Sequence, residues 1–247
     1  MRAMAIKALA LLLALGSPVA ALTCSQTDFE AVGYTLCEVR ATDDLRLFHT
    51  GPDGIYGQFA ALDRTLQAEG LHLAFAMNAG MYHRDLAPVG LHVENGVEQA
   101  PLVTRDGPGN FGLLPNGVFC IAPQGGFAVI ESRRFAKARP DCRFATQSGP
   151  ILVIGGDLHP RFLERSDSLN IRNGVGVSAD GARAVFVISD GPVNFHAFAR
   201  FFRDVLMLPD ALYLDGSISR LYAPQLGRRD GGFTAIGPIV GVVEPRG

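Results

Sequence analysis

Residues 184 to 214 constrain this chain more than any other stretch. Ala184 to Ser189 is an apolar strand that ends in Asp190-Gly191. Phe195 to Leu208 then places Phe195, Phe198, Phe202, Val205 and Leu206 on one helical face, with Asn194 positioned as the N-cap. Leu212 to Leu214 is a second apolar strand, ending in Asp215-Gly216. If the two strands are parallel, the connection is a right-handed crossover and both end on the same edge of a sheet. Adjacent or next-but-one strands would hold Asp190 and Asp215 roughly 5–10 Å apart, which suits the paired carboxylates of glycoside hydrolysis. Each Asp-Gly is equally a plain turn signal, so the assignment depends on what else reaches that edge.

The rest of the chain is built from short apolar runs separated by turn residues. Tyr34 to Arg40 and Leu45 to His49 read as strands around Thr42-Asp43-Asp44. Phe59, Leu62 and Leu66 recur at helical spacing, so Tyr56 to Ala68 is a helix that Gly70 ends. Leu71 to Met77 is a buried strand leading into Asn78. Val89 to Glu94 and Val97 to Val103 flank Asn95-Gly96, and Val118 to Ala122 and Phe127 to Glu131 flank Gly125-Gly126, giving two hairpins. The basic segment Arg133 to Arg143, interrupted by Pro140, reads as a surface loop. Phe144 to Gly149 leads into the apolar Pro150 to Ile154, and residues 157 to 170 show no period and read as a loop. Val175 to Ser178 is a strand, and Ala235 to Val243 supplies the last one. With 29 glycines, 15 prolines and no internal repeat or linker, these elements predict one α+β domain with a mixed, strand-rich sheet core and a few packed helices.

Two features bear on location. Arg2 and Lys7, the apolar Ala8 to Leu15 and the small residues through Ala21 form a secretory signal pattern over residues 1–21, too short to span a bilayer. Cys24 follows closely, but Ala-Leu-Thr before it lacks the small residue that lipidation needs, so soluble export to a periplasmic or secreted location is expected. In an oxidising compartment the four cysteines, 24, 37, 120 and 142, predict two disulfides. Of the three pairings available, Cys24–Cys37 and Cys120–Cys142 close the shortest loops. A formal net charge of -2 argues against nucleic acid or an acidic membrane surface as the partner.

Several strands run into small polar turns. Asn78-Ala-Gly-Met-Tyr82, Gln147-Ser-Gly-Pro-Ile-Leu-Val153, Arg172-Asn-Gly-Val-Gly-Val177 and Leu214-Asp-Gly-Ser-Ile-Ser219 occur in that order along the chain. Together they resemble the successive motifs of the phosphodiester glycosidase family over roughly residues 45 to 243. The resemblance implies that residues 22–247 form one such domain. It also implies hydrolysis of the glycosidic bond of a sugar-1-phosphodiester, giving free sugar and a phosphomonoester. Carried over by motif, Asn78, Ser148, Arg172, Gly216 and Ser217 bind substrate and Asp215 is catalytic. The crossover argument adds Asp190 as the second carboxylate. This chain departs from the family pattern in Ala79 and Met81, and in Ser217-Ile218 where smaller residues are usual.

In chemical terms, an arginine at the site mouth is a forked ligand for the phosphate, helped by Ser148, Ser217 and glycine N–H groups. Asp215 stabilises or attacks the anomeric carbon, or activates water. No cofactor is expected: carboxylates alone can hold a divalent cation, but no metal-ligand spacing marks one. Two other readings fit the same residues, a non-catalytic module that binds envelope glycan and a metal-dependent phosphodiesterase that cuts the P–O bond.

Overall fold

The computed structural model describes residues 22–215 and 218–246. The signal pattern of residues 1–21 lies outside them, as do Gly216 and Ser217. The strand-rich α+β domain expected from the sequence is present, with its core shared among three sheets. The first sheet has seven strands in the order Thr23–Phe29, Val32–Arg40, Arg183–Ser189, Asn173–Val177, Asp210–Tyr213, Ile151–Ile154 and Asp157–Leu158. The second runs Phe127–Glu131, Gly117–Ile121, Phe144–Ser148, His92–Glu94, Val97–Ala100. The third runs Arg228–Arg229, Leu221–Ala223, Leu71–Asn78, Ile239–Pro245, Leu45–Phe48.

Alternation along the strands explains the layering, because successive side chains point to opposite faces. On one face of the first sheet Val175, Val177, Phe186, Ile188, Leu212 and Leu214 pack with Phe75 and Met77 of the third sheet and Phe119 of the second. On the other face Val185, Val187, Ala211 and Tyr213 pack beneath Phe198, Phe201 and Phe202. Gly176 permits that close packing: a Cβ there would lie 2.6 Å from a Leu208 methyl and 2.7 Å from the Phe202 ring.

The crossover argued from the sequence is present in a specific form. Arg183–Ser189 and Asp210–Tyr213 are each antiparallel to Asn173–Val177, which lies between them, so they run parallel as next-but-one neighbours. Gly174 is paired with Val187 on one side and Tyr213 on the other. The ends carrying Asp190 and Asp215 therefore share an edge, with Arg172 and Asn173 between them.

Helix α1 covers Phe59–Ala68, with Phe59, Leu62 and Leu66 buried as their spacing predicts. The basic segment is not a loop throughout, since Ser132–Ala138 forms helix α2. Glu131 caps it by accepting the Arg134 N–H, and Phe135 anchors it, two local signals that a short segment with one buried ring shows only weakly. Helix α3, Phe195–Arg200, has the expected Asn194 cap, whose side chain accepts the Ala197 N–H at 2.8 Å. It continues as a wider π turn over Phe201–Val205, which lets Phe201 and Phe202 both be fully buried. The strands Thr23–Phe29, Leu221–Ala223 and Arg228–Arg229 were not apparent in the sequence, because they are short or largely exposed. The Asn95-Gly96 hairpin turn has φ of 50° and 78°, the left-handed pair that these residues favour. Both disulfides form as expected, Cys24–Cys37 and Cys120–Cys142. Among the described residues no helix is long and apolar enough to cross a membrane.

Candidate active site

Asp215 stands at the end of Asp210–Tyr213, where an edge of the first sheet meets an edge of the third. Its main chain is pinned from both sides: its N–H donates to Asn173 Oδ1 at 2.8 Å, and its carbonyl accepts from Asn173 N–H at 3.4 Å and from Ser219 Oγ at 3.1 Å. The residue is 6% exposed. Asn78, the last residue of Leu71–Asn78, donates its amide to Asp215 Oδ2 at 3.4 Å and accepts the Arg220 N–H at 2.7 Å. A buried carboxylate needs such donors to stay ionised, and Asn78 supplies one without adding charge.

Ser148, at the end of Phe144–Ser148, reaches the same point from the second sheet. It is fully buried, and its hydroxyl donates to the Leu214 carbonyl at 2.6 Å. With its proton committed there, it holds the strand end that carries Asp215. All three sheets thus contribute a residue within one or two positions of this carboxylate.

Arg172 is fully buried and makes no ion pair among the described residues. Its Nε donates to the Val193 carbonyl and its Nη2 to the Ser168 carbonyl, both at 2.8 Å. The guanidinium lies 3.6 Å from the Phe195 ring centroid and 5.5 Å from that of Tyr213. Burial lowers its pKa, opposed by Tyr213, and burial raises that of Tyr213. The third nitrogen, Nη1, is buried with no hydrogen-bond partner among the described residues, as are Asn173 Nδ2 and the Tyr82 hydroxyl. An unsatisfied buried polar group costs roughly 1–3 kcal/mol. Arg172 Nη1 and Asn173 Nδ2 are donors only, and the phenol can donate as well. Their natural complement is a ligand rich in acceptor oxygens.

Asp190 behaves differently from Asp215. Its carboxylate accepts from Thr35 Oγ1 at 3.1 Å and forms an ion pair with Arg228 Nη1 at 2.5 Å, and Arg228 in turn pairs with Asp230 at 3.1 Å. The shared edge is present, but the contacts of Asp190 are with Thr35 and Arg228. The sequence could not expose this diversion, because Arg228 lies on a two-residue strand without periodicity. Gly216 and Ser217 lie outside the described residues. Asn173, Tyr82 and Arg220 were not selected from the sequence. Each nevertheless falls inside or one residue beyond a quoted motif, and a polar residue between apolar strand positions is the signal that marks Asn173.

Among the described residues no three His, Cys, Asp or Glu side chains are grouped to hold a metal. A groove of about 910 Å³ lies elsewhere, over the outer face of the second sheet between Leu91, Phe135, Arg139 and Cys142. Arg139 and Arg143 on its wall are balanced by Glu98 and Asp141, and none of the unpartnered buried donors faces it.

A family model described as phosphodiester glycosidase matches residues 72–242, which include Asn78, Ser148, Arg172 and Asp215. The chain belongs to the phosphodiester glycosidase family. A curated relative, the uncharacterized protein YigE of Escherichia coli strain K12, is 36% identical over 183 residues, 73% of this chain and 70% of that protein. Among solved structures, the zebrafish N-acetylglucosamine-1-phosphodiester alpha-N-acetylglucosaminidase catalytic domain, auto-inhibited by its pro-peptide, superposes with a TM-score of 0.60. The match covers 90% of this chain and 82% of that one at 14% identity, so it establishes a shared fold.

Proposed function

We propose that this protein is an exported hydrolase that cleaves the glycosidic bond of a sugar-1-phosphodiester. The carrying observation is a buried carboxylate, Asp215, whose main chain is held from both sides, together with buried donors that lack acceptors among the described residues, Arg172 Nη1 foremost. A phosphodiester anion attached to a sugar supplies the acceptors, and a carboxylate matches the positive charge that develops on the sugar ring. Family membership supports the same reading. The two disulfides and the signal pattern of residues 1–21 support export.

In this reading the bond between the anomeric carbon and the bridging oxygen breaks, and its electron pair leaves with the phosphate. Water adds to the anomeric carbon and gives up a proton, with Asp215 stabilising the cationic carbon or accepting that proton. A phosphate leaves readily, so electrostatic positioning matters more than protonation of the leaving group. Arg172 holds the phosphate through Nη1, Asn78 orients the Asp215 carboxylate, and Ser148 fixes the strand end beneath it. We assign Asp190, already neutralised by Arg228, to support of the edge rather than to proton transfer.

The test is a panel of sugar-1-phosphodiesters, including the methyl diester of N-acetylglucosamine 1-phosphate, with wild type beside Asp215→Asn. Hydrolysis in oxygen-18 water should place the label in the sugar. Label in the phosphate would identify a phosphodiesterase instead. Equal rates for Asp215→Asn would remove this carboxylate from the chemistry, and glycan binding without turnover would favour a binding module.

A further inference from the structure

We infer that Tyr82 is a substrate-contacting residue of the Asp215 site, donating its phenolic proton in a hydrogen bond to the departing phosphate oxygen. This rests on the hydrolase reading above and extends it to a residue to which the motif comparison gave no role.

The placement of the ring is rigid. Tyr82 follows Asn78 by four residues and packs with Phe48, Phe59, Ile236 and Ile239 in the cluster beneath the third sheet. Its main chain bridges to Pro88. Gly237 presses against the ring so closely that a Cβ there would sit 2.5 Å from Tyr82 Cγ. The ring is thus held between its own turn and the segment before Ile239–Pro245, and its hydroxyl position is set by packing.

At the end of this packed ring the hydroxyl is buried and has no hydrogen-bond partner among the described residues. A phenylalanine would fill the same apolar surroundings without the cost of an unpaired polar group. The hydroxyl also lies within the fields of both Asp215 and Arg220, two residues joined through Asn78. Burial, then the Asp215 carboxylate, push the phenol up to about 12, with Arg220 opposing. The group therefore stays protonated at working pH and acts as a donor, without itself transferring a proton. The bond to the anomeric carbon breaks, the electron pair goes to the bridging oxygen, and the phenol shares its hydrogen with that growing charge. An interaction that strengthens as charge develops acts on kcat more than on KM.

The measurement is a comparison of wild type, Tyr82→Phe and Asp215→Asn on the methyl diester of N-acetylglucosamine 1-phosphate, with thermal melts of each. Tyr82→Phe should lower kcat roughly tenfold to a hundredfold with KM nearly unchanged. Its Tm should hold or rise, because the variant removes an unsatisfied buried hydroxyl without removing a contact. Its pH–rate profile should keep the wild-type shape, as befits a donor that does not ionise. An unchanged kcat would overturn the proposal, and so would a fall in Tm in step with the rate, which marks a purely structural residue. If Asp215→Asn matches an active wild type, the role given to that carboxylate fails by itself, while a lowered Tyr82→Phe rate still supports the contact. If wild type turns over none of these diesters, the hydrolase reading fails and the leaving-oxygen role of Tyr82 falls with it.

Discussion

Asn78 and Asp215 meet at 3.4 Å across 137 positions of sequence, each at the end of a strand in a different sheet. The amide of Asn78 faces both ways, giving its N–H to the carboxylate and taking the Arg220 N–H on its oxygen. Removing it takes a donor from a carboxylate that is already buried. Asn78→Ala should lower kcat about tenfold to a thousandfold. Asn78→Asp should move the acid limb of the pH–rate profile to higher pH, since a second carboxylate disfavours ionisation of the first. Steady-state kinetics across pH checks both, and an unaltered acid limb in Asn78→Asp would separate this contact from catalysis.

Arg172 is a buried cation without a carboxylate partner among the described residues. Binding an anion should therefore stabilise the folded protein, by about 2.7 kcal/mol when phosphate is a hundredfold above its Kd. Arg172→Lys keeps the charge but abandons the fork that holds the Val193 and Ser168 carbonyls, so Tm should drop and the phosphate-dependent rise should disappear. Melting curves with and without inorganic phosphate decide this; an equal rise in the variant would place the anion elsewhere.

The two carboxylates of the shared edge should behave unequally. Asp190 is tied to Arg228 and Thr35, so Asp190→Asn should cost less than about tenfold in kcat/KM, while Asp215→Asn costs orders of magnitude. Comparable losses would restore Asp190 as an acid–base partner.

Alkaline pH should unfold this protein through its buried tyrosines. Burial, helped by Glu30, pushes Tyr34 up to about 12, and Tyr82 is likewise raised to about 12. A phenol whose folded pKa exceeds its unfolded value near 10 contributes stability that is complete below about pH 10 and is lost as pH rises through about 12. Denaturant melts from pH 8 to 12 should show a flat region, then a decline above about pH 10. Tyr34→Phe should reduce the slope of that decline.

The disulfides close loops with sequence separations of 13 and 22 residues. Loss of either should cost about 3 kcal/mol by restoring freedom to the unfolded chain. Chemical denaturation of Cys37→Ser and Cys142→Ser checks this, and folding in a reducing cytoplasm should suffer accordingly.

Much of this molecule was fixed locally. Alternating and helical spacing placed Leu71–Asn78, Phe59–Ala68 and the Asn95-Gly96 hairpin, and Asn194 marked the start of α3, because turn and cap chemistry act within a few residues. The order of the quoted motifs pointed to the family, and the crossover put Asp190 and Asp215 on one edge. What the chain order did not contain was which strand ends would meet. An apolar run specifies that a strand is buried, not which partner covers it, and at this site Asn78 and Arg220 meet across 142 residues. Only the folded arrangement of three sheets brings Asn78, Ser148 and Asn173 around Asp215, diverts Asp190 to Arg228, and buries Arg172 beneath Phe195. Sequence determined Asp215 at a strand end; packing determined which polar groups surround it, because hydrophobic burial is non-directional and the hydrogen bonds that give it direction form between distant segments.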